Sequence, residues 1–213
     1  MNSVKTDICD LEQRMNEELL LFKLVSFCFE EDVKASTVSK KLLDKFNTLG
    51  GILYADKYKL SSIIPDEIVV LEILDLFKRL MNSMLGTRIQ NTNIINNRDQ
   101  LLDYLKFKMG RLDIEQCRIL LLNKQNILLA DEVVSEGTLD TVSFYPREIV
   151  KKALFHGASA IIIAHNHPSG KPEASANDLV VTDKIIKACN VFDISVHDHI
   201  IVTKDSYFSC LSS

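Results

Sequence analysis

The sequence predicts an α/β (α+β) protein of two domains, an all-helical N-terminal one and a C-terminal one built on a sheet. Two observations carry this prediction. Before about residue 86 apolar residues recur at helical spacing, whereas after about residue 111 short continuous apolar runs alternate with helical segments. Strands mixed with covering helices indicate a layered domain. We therefore place the domains at 1–86 and 98–213, joined by an asparagine-rich linker at 87–97.

The N-terminal domain is predicted to be helical throughout. Its predicted helices are Glu17–Phe29, Ser36–Phe46 and a long segment from Pro65 to Gly86. Proline favours the first turn of a helix and glycine the position after the last turn, which sets the bounds of the long helix. Gly50-Gly51 is expected to break the next short helix after Ser36–Phe46.

The C-terminal domain is predicted to alternate between strands and helices. The strands are expected at Cys117–Leu122, Ile127–Val134, Ala158–Ala164 and Ile194–Thr203. A polar turn at 123–126 joins the first two strands as a hairpin. The helices are expected at Arg98–Met109, at Pro146–Phe155 and from Ser175 to about Cys189.

Composition excludes several classes of protein. The chain has 25 basic and 29 acidic residues, and residues 1–86 alone carry 11 basic and 14 acidic ones, so broad electrostatic capture of nucleic acid is not expected. Five scattered cysteines without a C-x-x-C pair are typical of reduced thiols in a cytoplasmic protein. Neither a signal pattern nor an apolar stretch long enough for a membrane is present, so we expect no membrane partner.

Two histidines stand at the end of the third predicted strand. Alternate side chains of an extended chain share a face, so His165 and His167 are expected to point the same way. Asp178 lies eleven residues beyond His167. Two co-facial histidines and one carboxylate form the three-ligand set of a catalytic zinc site with one open position. The alternative for Asp178 is a structural cap, because Ser175 is a good N-cap and Asp178 occupies the acidic position of a capping box.

These residues resemble the JAMM motif of MPN-domain metalloproteases and, more narrowly, the bacterial RadC family. The matching residues are His165-Asn166-His167-Pro168-Ser169-Gly170 and Ser175-x-x-Asp178. The supporting stretches are Glu136-Gly137-Thr138, Tyr145-Pro146-Arg147-Glu148-Ile149 and Asp198-His199-Ile200-Ile201-Val202. The resemblance implies a mixed sheet between helices, like that of cytidine deaminases. It also implies one zinc ion per chain and hydrolysis of a peptide or isopeptide bond in a peptide or protein substrate. A zinc deaminase is excluded, because such an enzyme needs H-x-E and P-C-x-x-C ligands.

The resemblance further implies two catalytic residues beside the metal ligands. Family members supply a glutamate just before the first core strand, where this chain has Glu115, to carry the proton of the attacking water. Glu132 and Glu136 are rivals for this role near the end of the second strand. Ser175 matches a family serine that helps to stabilise an oxyanion, although it must also cap its helix.

The last predicted strand carries another alternating pair of histidines. His197 and His199 share a strand face but lack a carboxylate at a spacing like that of Asp178. We expect them to pack in the sheet or to form a hydrogen bond near the site. His156, in the last turn of its helix, suits the helix dipole and is assigned no role.

The N-terminal helices resemble the RadC N-terminal region, which is related to helix-hairpin-helix DNA-binding units. Such hairpins offer backbone N–H groups to phosphate through a turn that contains glycine. The corresponding segment, Ser61–Asp66, has no glycine and includes a proline and an acid, so we expect a degenerate hairpin that does not bind DNA. The leading interpretation is a cytoplasmic zinc metallopeptidase. Its alternatives are a DNA-repair accessory protein whose zinc domain positions partners, and an inactive scaffold.

Overall fold

The computed structural model of the chain describes residues 2–90, 92–137 and 145–211. Asn91 of the predicted linker and Thr138 of the motif comparison lie outside these ranges. The chain divides into two compact units, Met1–Met81 and Asn82–Ser213. Among the described residues, no helix combines the length and the apolar character that crossing a membrane requires.

The first unit is helical, as predicted. Its helices are α1 (Asn2–Ser26), α2 (Asp32–Phe46), α3 (Leu49–Tyr54), α4 (Lys57–Ile63) and the start of α5 (Ile68–Gln90). Its core consists of apolar side chains that recur at helical spacing, among them Leu21, Val25, Leu42, Ile52 and Leu74.

Glycine and proline mark the helix bounds of this unit differently from the prediction. Gly51 lies within α3, where its N–H donates to the Thr48 cap, and a Cβ atom there would lie 2.4 Å from the Phe46 carbonyl oxygen. Gly51 therefore permits a close approach of backbone, and the Gly-Gly pair lies inside the helix without breaking it. Pro65 also does not open α5, which begins three residues later at Ile68, after a turn that the Glu67 N–H closes onto the Ile64 carbonyl.

Helix α5 continues to Gln90. The predicted helix end at Gly86 is therefore wrong, and the first residues of the predicted linker at 87–97 are helical. One glycine inside a helix costs only about 1 kcal/mol relative to alanine, so flanking contacts can outweigh it. Here the Thr87 hydroxyl donates to the Ser83 carbonyl across Gly86, and Ile89 is buried in the core of the second unit. The division between the two units thus falls within α5, between Met81 and Asn82.

The second unit is an α+β domain around a five-stranded mixed sheet, which confirms the predicted fold class. After α6 (Arg98–Met109), the elements are β1 (Glu115–Leu122), β2 (Leu128–Gly137), α7 (Pro146–Phe155), β3 (Ala160–Asn166), α8 (Ala176–Asn190), β4 (Ser195–Val202) and β5 (Tyr207–Ser209). The strand order is β2-β1-β3-β4-β5. Among the strand pairs of the described residues, only β3–β4 is parallel. The three-residue β5 was not predicted, because so short a strand carries no periodicity.

Helices cover both faces of this sheet. The core on the α6 face includes Leu101, Leu105, Leu120, Ile162 and Ile200. The core on the face of α7 and α8 includes Ile119, Leu121, Ile149, Ile163 and Ile185. Because side chains alternate along a strand, His165 at the end of β3 lies on the same face as Ile163 and is directed toward α8.

Candidate metal centre

Two imidazoles and one carboxylate meet where β3 ends and α8 begins. The Nε2 atoms of His165 and His167 lie 2.9 Å apart. The Oδ1 atom of Asp178 lies 3.4 Å from His165 Nε2, and its Oδ2 atom lies 3.7 Å from His167 Nε2. His165 has no solvent-exposed side-chain surface and Asp178 is buried, so this group of donor atoms is largely shielded from water.

Asp178 also caps α8, so the two interpretations left open by the sequence are compatible. Its Oδ2 atom accepts from the Ser175 backbone N–H at 2.8 Å and from the Ser175 hydroxyl at 2.6 Å. The Ser175 oxygen in turn accepts from the Asp178 N–H, which completes a capping box. Burial by itself raises the pKa of the Asp178 carboxyl, but the neighbouring His167 and the Ser175 hydrogen bonds hold that pKa well below its ordinary value. The cap therefore keeps the carboxylate charged and oriented toward the histidines.

Glu115 reaches the same centre from β1. Cys117 pairs directly with His165 across the β1–β3 ladder, and Glu115, two residues earlier, shares that face. Its Oε1 atom lies 3.9 Å from His165 Nε2. Burial raises the pKa of Glu115, and the charge of Asp178 raises it further against the opposing effect of His167. A carboxyl with a raised pKa suits proton transfer near neutral pH.

The two rival glutamates lie elsewhere. Glu132 on β2 binds Lys152, and its Oε1 lies 2.5 Å from His156 Nε2 on α7. Hydrogen bonds from Lys152 and His156 lower the pKa of Glu132. Glu136 is exposed and pairs in register with Gln116, which alternates with Glu115 and so faces the other side of the sheet. Only Glu115 of the three is brought to the histidines.

Asn166, between the two histidines, has a role that the sequence did not reveal. Its side chain is fully buried and points to the opposite face, as alternation requires. It accepts from the Gln116 backbone N–H at 2.8 Å and donates to the Ile114 carbonyl at 3.0 Å. These two backbone groups flank Glu115, so Asn166 ties the start of β1 to the strand that carries the histidines.

A buried chain of hydrogen bonds runs behind His165. Its Nδ1 atom lies 2.7 Å from His199 Nε2, and His199 Nδ1 lies 2.5 Å from the Thr182 hydroxyl. Thr182 donates to the Asp178 carbonyl at 2.6 Å. Burial lowers the pKa of His165 to about 3 and that of His199 to about 4, so both rings are neutral at neutral pH. The expected hydrogen bond of His199 near the site is present, whereas Thr182 was missed; its spacing of four residues from Asp178 on one helix is the signal that could have found it.

The donor set fits a divalent metal ion. His167 Nδ1 lies 2.8 Å from the Lys171 carbonyl, which can only accept, so this nitrogen carries the proton and Nε2 offers a lone pair. Ligands of a tetrahedral zinc ion lie roughly 3.3 Å from one another, given metal–ligand distances of about 2.0–2.1 Å. The spacings of 2.9, 3.4 and 3.7 Å among the histidine nitrogens and Asp178 lie near this value, and the Glu115 Oε1 atom lies 3.9 Å from His165 Nε2. Ligand-capable atoms of Glu115, His165 and His167 also lie within 4.8 Å of one another, so Glu115 and the two histidines form a second donor set that could hold a metal ion.

Comparison with known proteins identifies the family of this chain. Residues 95–213 match the family model of the RadC-like JAB domain. A UPF0758 protein of Ruegeria pomeroyi is 36% identical over 187 residues, which cover 88% of this chain and 81% of the relative. A UPF0758 protein of Rhodobacter capsulatus is 35% identical over 187 residues, which cover 88% of this chain and 85% of the relative. The family match includes every residue of the candidate centre, and the two relatives extend the similarity over most of the chain. The chain therefore belongs to the RadC family and carries the RadC-like JAB domain.

Proposed function

We propose that the protein is a zinc-dependent hydrolase of the JAMM type that cleaves a peptide or isopeptide bond. The observation that carries the proposal is the convergence of two imidazole nitrogens and the Asp178 carboxylate beside the buried carboxyl group of Glu115. Zinc is proposed over magnesium or calcium because nitrogen donors suit zinc, whereas those ions prefer oxygen ligands alone. His165, His167 and Asp178 are the proposed ligands, with one ion per chain.

The proposed roles follow from the chemistry of each side chain. A zinc ion held here would lower the pKa of a water molecule to about 7 and polarise the scissile carbonyl. Glu115 accepts one proton of the attacking water at a carboxylate oxygen and returns it to the leaving amine nitrogen, so the carboxylate is regenerated in each cycle. The burial that raises the pKa of Glu115 makes it a stronger base for this transfer.

Ser175 is proposed to assist at the exposed side of the centre. Its side chain is exposed at the start of α8, and its single hydroxyl proton is donated to Asp178. Stabilising an oxyanion therefore requires this proton to turn from Asp178 toward the substrate oxygen when substrate is bound. The backbone N–H of Ser175 keeps its bond to the Asp178 carboxylate during this rotation.

The proposal is tested by a peptide-library cleavage screen read by mass spectrometry, with the zinc content of every sample measured. The zinc-loaded wild type is expected to hold one ion per chain and to cleave, and the metal-stripped protein is expected to be inactive. His165→Ala/His167→Ala should lose both zinc and cleavage. Glu115→Gln should keep zinc but lose about 10²–10⁴-fold in cleavage rate.

Glu136→Gln is the matched control, since it makes the same change at an exposed position on the other face of the sheet. It is expected to retain zinc and full activity. Equal zinc in the wild type and the double-histidine variant would contradict the ligand assignment. Full activity of Glu115→Gln together with loss of activity in Glu136→Gln would contradict the choice of glutamate.

A further inference from the structure

The donor and the acceptor of each hydrogen bond in the buried chain behind His165 are fixed by the chemistry of the atoms that form it. The backbone carbonyl oxygen of Asp178 can only accept, so the Thr182 hydroxyl donates its single proton to it. Toward His199 the Thr182 oxygen can then only accept, and the proton in that contact is on His199 Nδ1. A neutral His199 protonated at Nδ1 has its lone pair on Nε2, which faces His165 Nδ1 at 2.7 Å.

The consequence reaches the metal centre. Because His199 Nε2 accepts, His165 carries its own proton on Nδ1 and presents a lone pair at Nε2, the atom that faces His167 and Asp178. The other tautomer of His165 would place a hydrogen where a metal ion binds. A hydrogen bond to the second nitrogen of a metal-binding histidine commonly sets its tautomer and ring orientation.

We infer that Thr182 and His199 are positioning residues that hold His165 in its metal-binding tautomer through this relay. Both are almost completely buried, at 2% and 0% exposure, so water does not substitute for the missing partner when one is removed. The inference rests on the proposed metal site. It adds that α8 supports the metal site through two side chains. The Asp178 carboxylate is a proposed ligand, and the Thr182 hydroxyl, one helical turn later, orients His165 through His199.

Thr182→Val keeps the shape of the side chain and removes the hydroxyl. Loss of the acceptor on Thr182 favours the His199 tautomer that is protonated at Nε2, which in turn drives the proton of His165 onto Nε2. Zinc affinity, measured by competition with a chromogenic chelator, is expected to fall about 10–100-fold. Thr182→Ser retains the hydroxyl and should bind zinc within about threefold of the wild type, since the relay is kept.

Ile185→Val is the control for packing. It shortens a fully buried side chain on the same helix and leaves the relay untouched. It should lower the thermal midpoint without changing zinc affinity. If Thr182→Val and Ile185→Val bind zinc equally well, or if Thr182→Ser loses as much affinity as Thr182→Val, the hydroxyl acts only in packing and the inference is overturned.

The second measurement uses metal-free full-length wild-type protein and needs no variant. Long-range ¹H–¹⁵N NMR spectra of the histidine side chains report which ring nitrogen carries the proton. Protonation of both His165 and His199 at Nδ1 supports the relay, and protonation of His165 at Nε2 with Nδ1 bare overturns it. A wild type with the predicted tautomers but no zinc affinity would refute the proposed metal site alone, so the two failures are distinguishable.

Discussion

Replacing Asn166 with alanine tests how the sheet holds Glu115 beside the histidines. The substitution removes the bonds to the Gln116 N–H and the Ile114 carbonyl at 2.8 and 3.0 Å, and a longer one to the Leu112 carbonyl at 3.4 Å. The two short bonds each contribute about 0.5–1.5 kcal/mol, and leaving a buried backbone group without its partner adds to the loss. We therefore expect Asn166→Ala to lower the free energy of unfolding by about 2–4 kcal/mol.

The second effect of this substitution is on the position of Glu115. The start of β1 loses its tie to β3, so the carboxyl of Glu115 is no longer held at a fixed distance from His165. A misplacement of about 1 Å lowers the rate of a catalysed step by up to roughly 10²-fold. Zinc content should be unchanged, because none of the three proposed ligands is altered.

Urea unfolding followed by circular dichroism measures the first effect, and peptide cleavage at equal zinc content measures the second. The expected shift is about 1–2 M in the urea midpoint for a slope of about 2 kcal/mol per molar urea, the middle of the usual range. Asn190→Ala is the matched control, since Asn190 is an exposed residue at the end of α8. It should change stability by less than about 0.5 kcal/mol. An Asn166→Ala variant as stable and as active as this control would refute the reasoning.

Three further predictions concern the charge of the centre, its cap and the helical unit. Asp178→Asn should weaken zinc binding, measured by chelator competition, by more than about 100-fold, since loss of a mere supporting partner already costs roughly 10–100-fold. It should also destabilise α8 by about 0.3–1 kcal/mol, because the first turn loses its acidic side chain. Ser175→Ala should lower stability by about 0.5–2 kcal/mol by removal of the N-cap and should reduce cleavage at equal zinc content; unchanged cleavage would leave Ser175 as a cap alone. The full chain should bind duplex DNA with a Kd weaker than about 10⁻⁶ M at physiological salt. A DNA phosphate would need backbone N–H groups and basic side chains at the hairpin, but the Glu67 N–H already donates to the Ile64 carbonyl and Lys34 pairs with Glu67 at 3.1 Å. Submicromolar binding with a steep salt dependence in fluorescence anisotropy would contradict the last prediction.

Local pattern was enough to predict much of the second unit. Arg98–Met109 and Pro146–Phe155 have the bounds that their caps predict, because glycine and proline there act in their usual end positions. Alternation along β3, continued to the residue after it, predicts from sequence alone that both histidines share one face of the chain. In α5 the same rule failed at Gly86, since burial of Ile89 a few residues later outweighs one unfavourable residue.

The support of the centre could not be predicted, because it depends on which elements become neighbours. The bonds of Asn166 to residues near 115 span about fifty positions of sequence and follow from the pairing of β1 with β3. His199 meets His165 only because β4 lies parallel beside β3, and Thr182 reaches His199 only because α8 packs on that face. The resemblance already favoured Glu115 among the three candidate glutamates, but its proximity to His165 follows from the register of β1 against β3.

Zinc-edge anomalous diffraction from crystals of the zinc-loaded protein tests the central claim most directly. We predict one ion per chain at about 2.0–2.2 Å from the Nε2 atoms of His165 and His167 and from a carboxylate oxygen of Asp178, with Glu115 close by but not bound to it. An ion bound by Glu115 and not by Asp178, or anomalous density only away from the two histidines, would contradict the account.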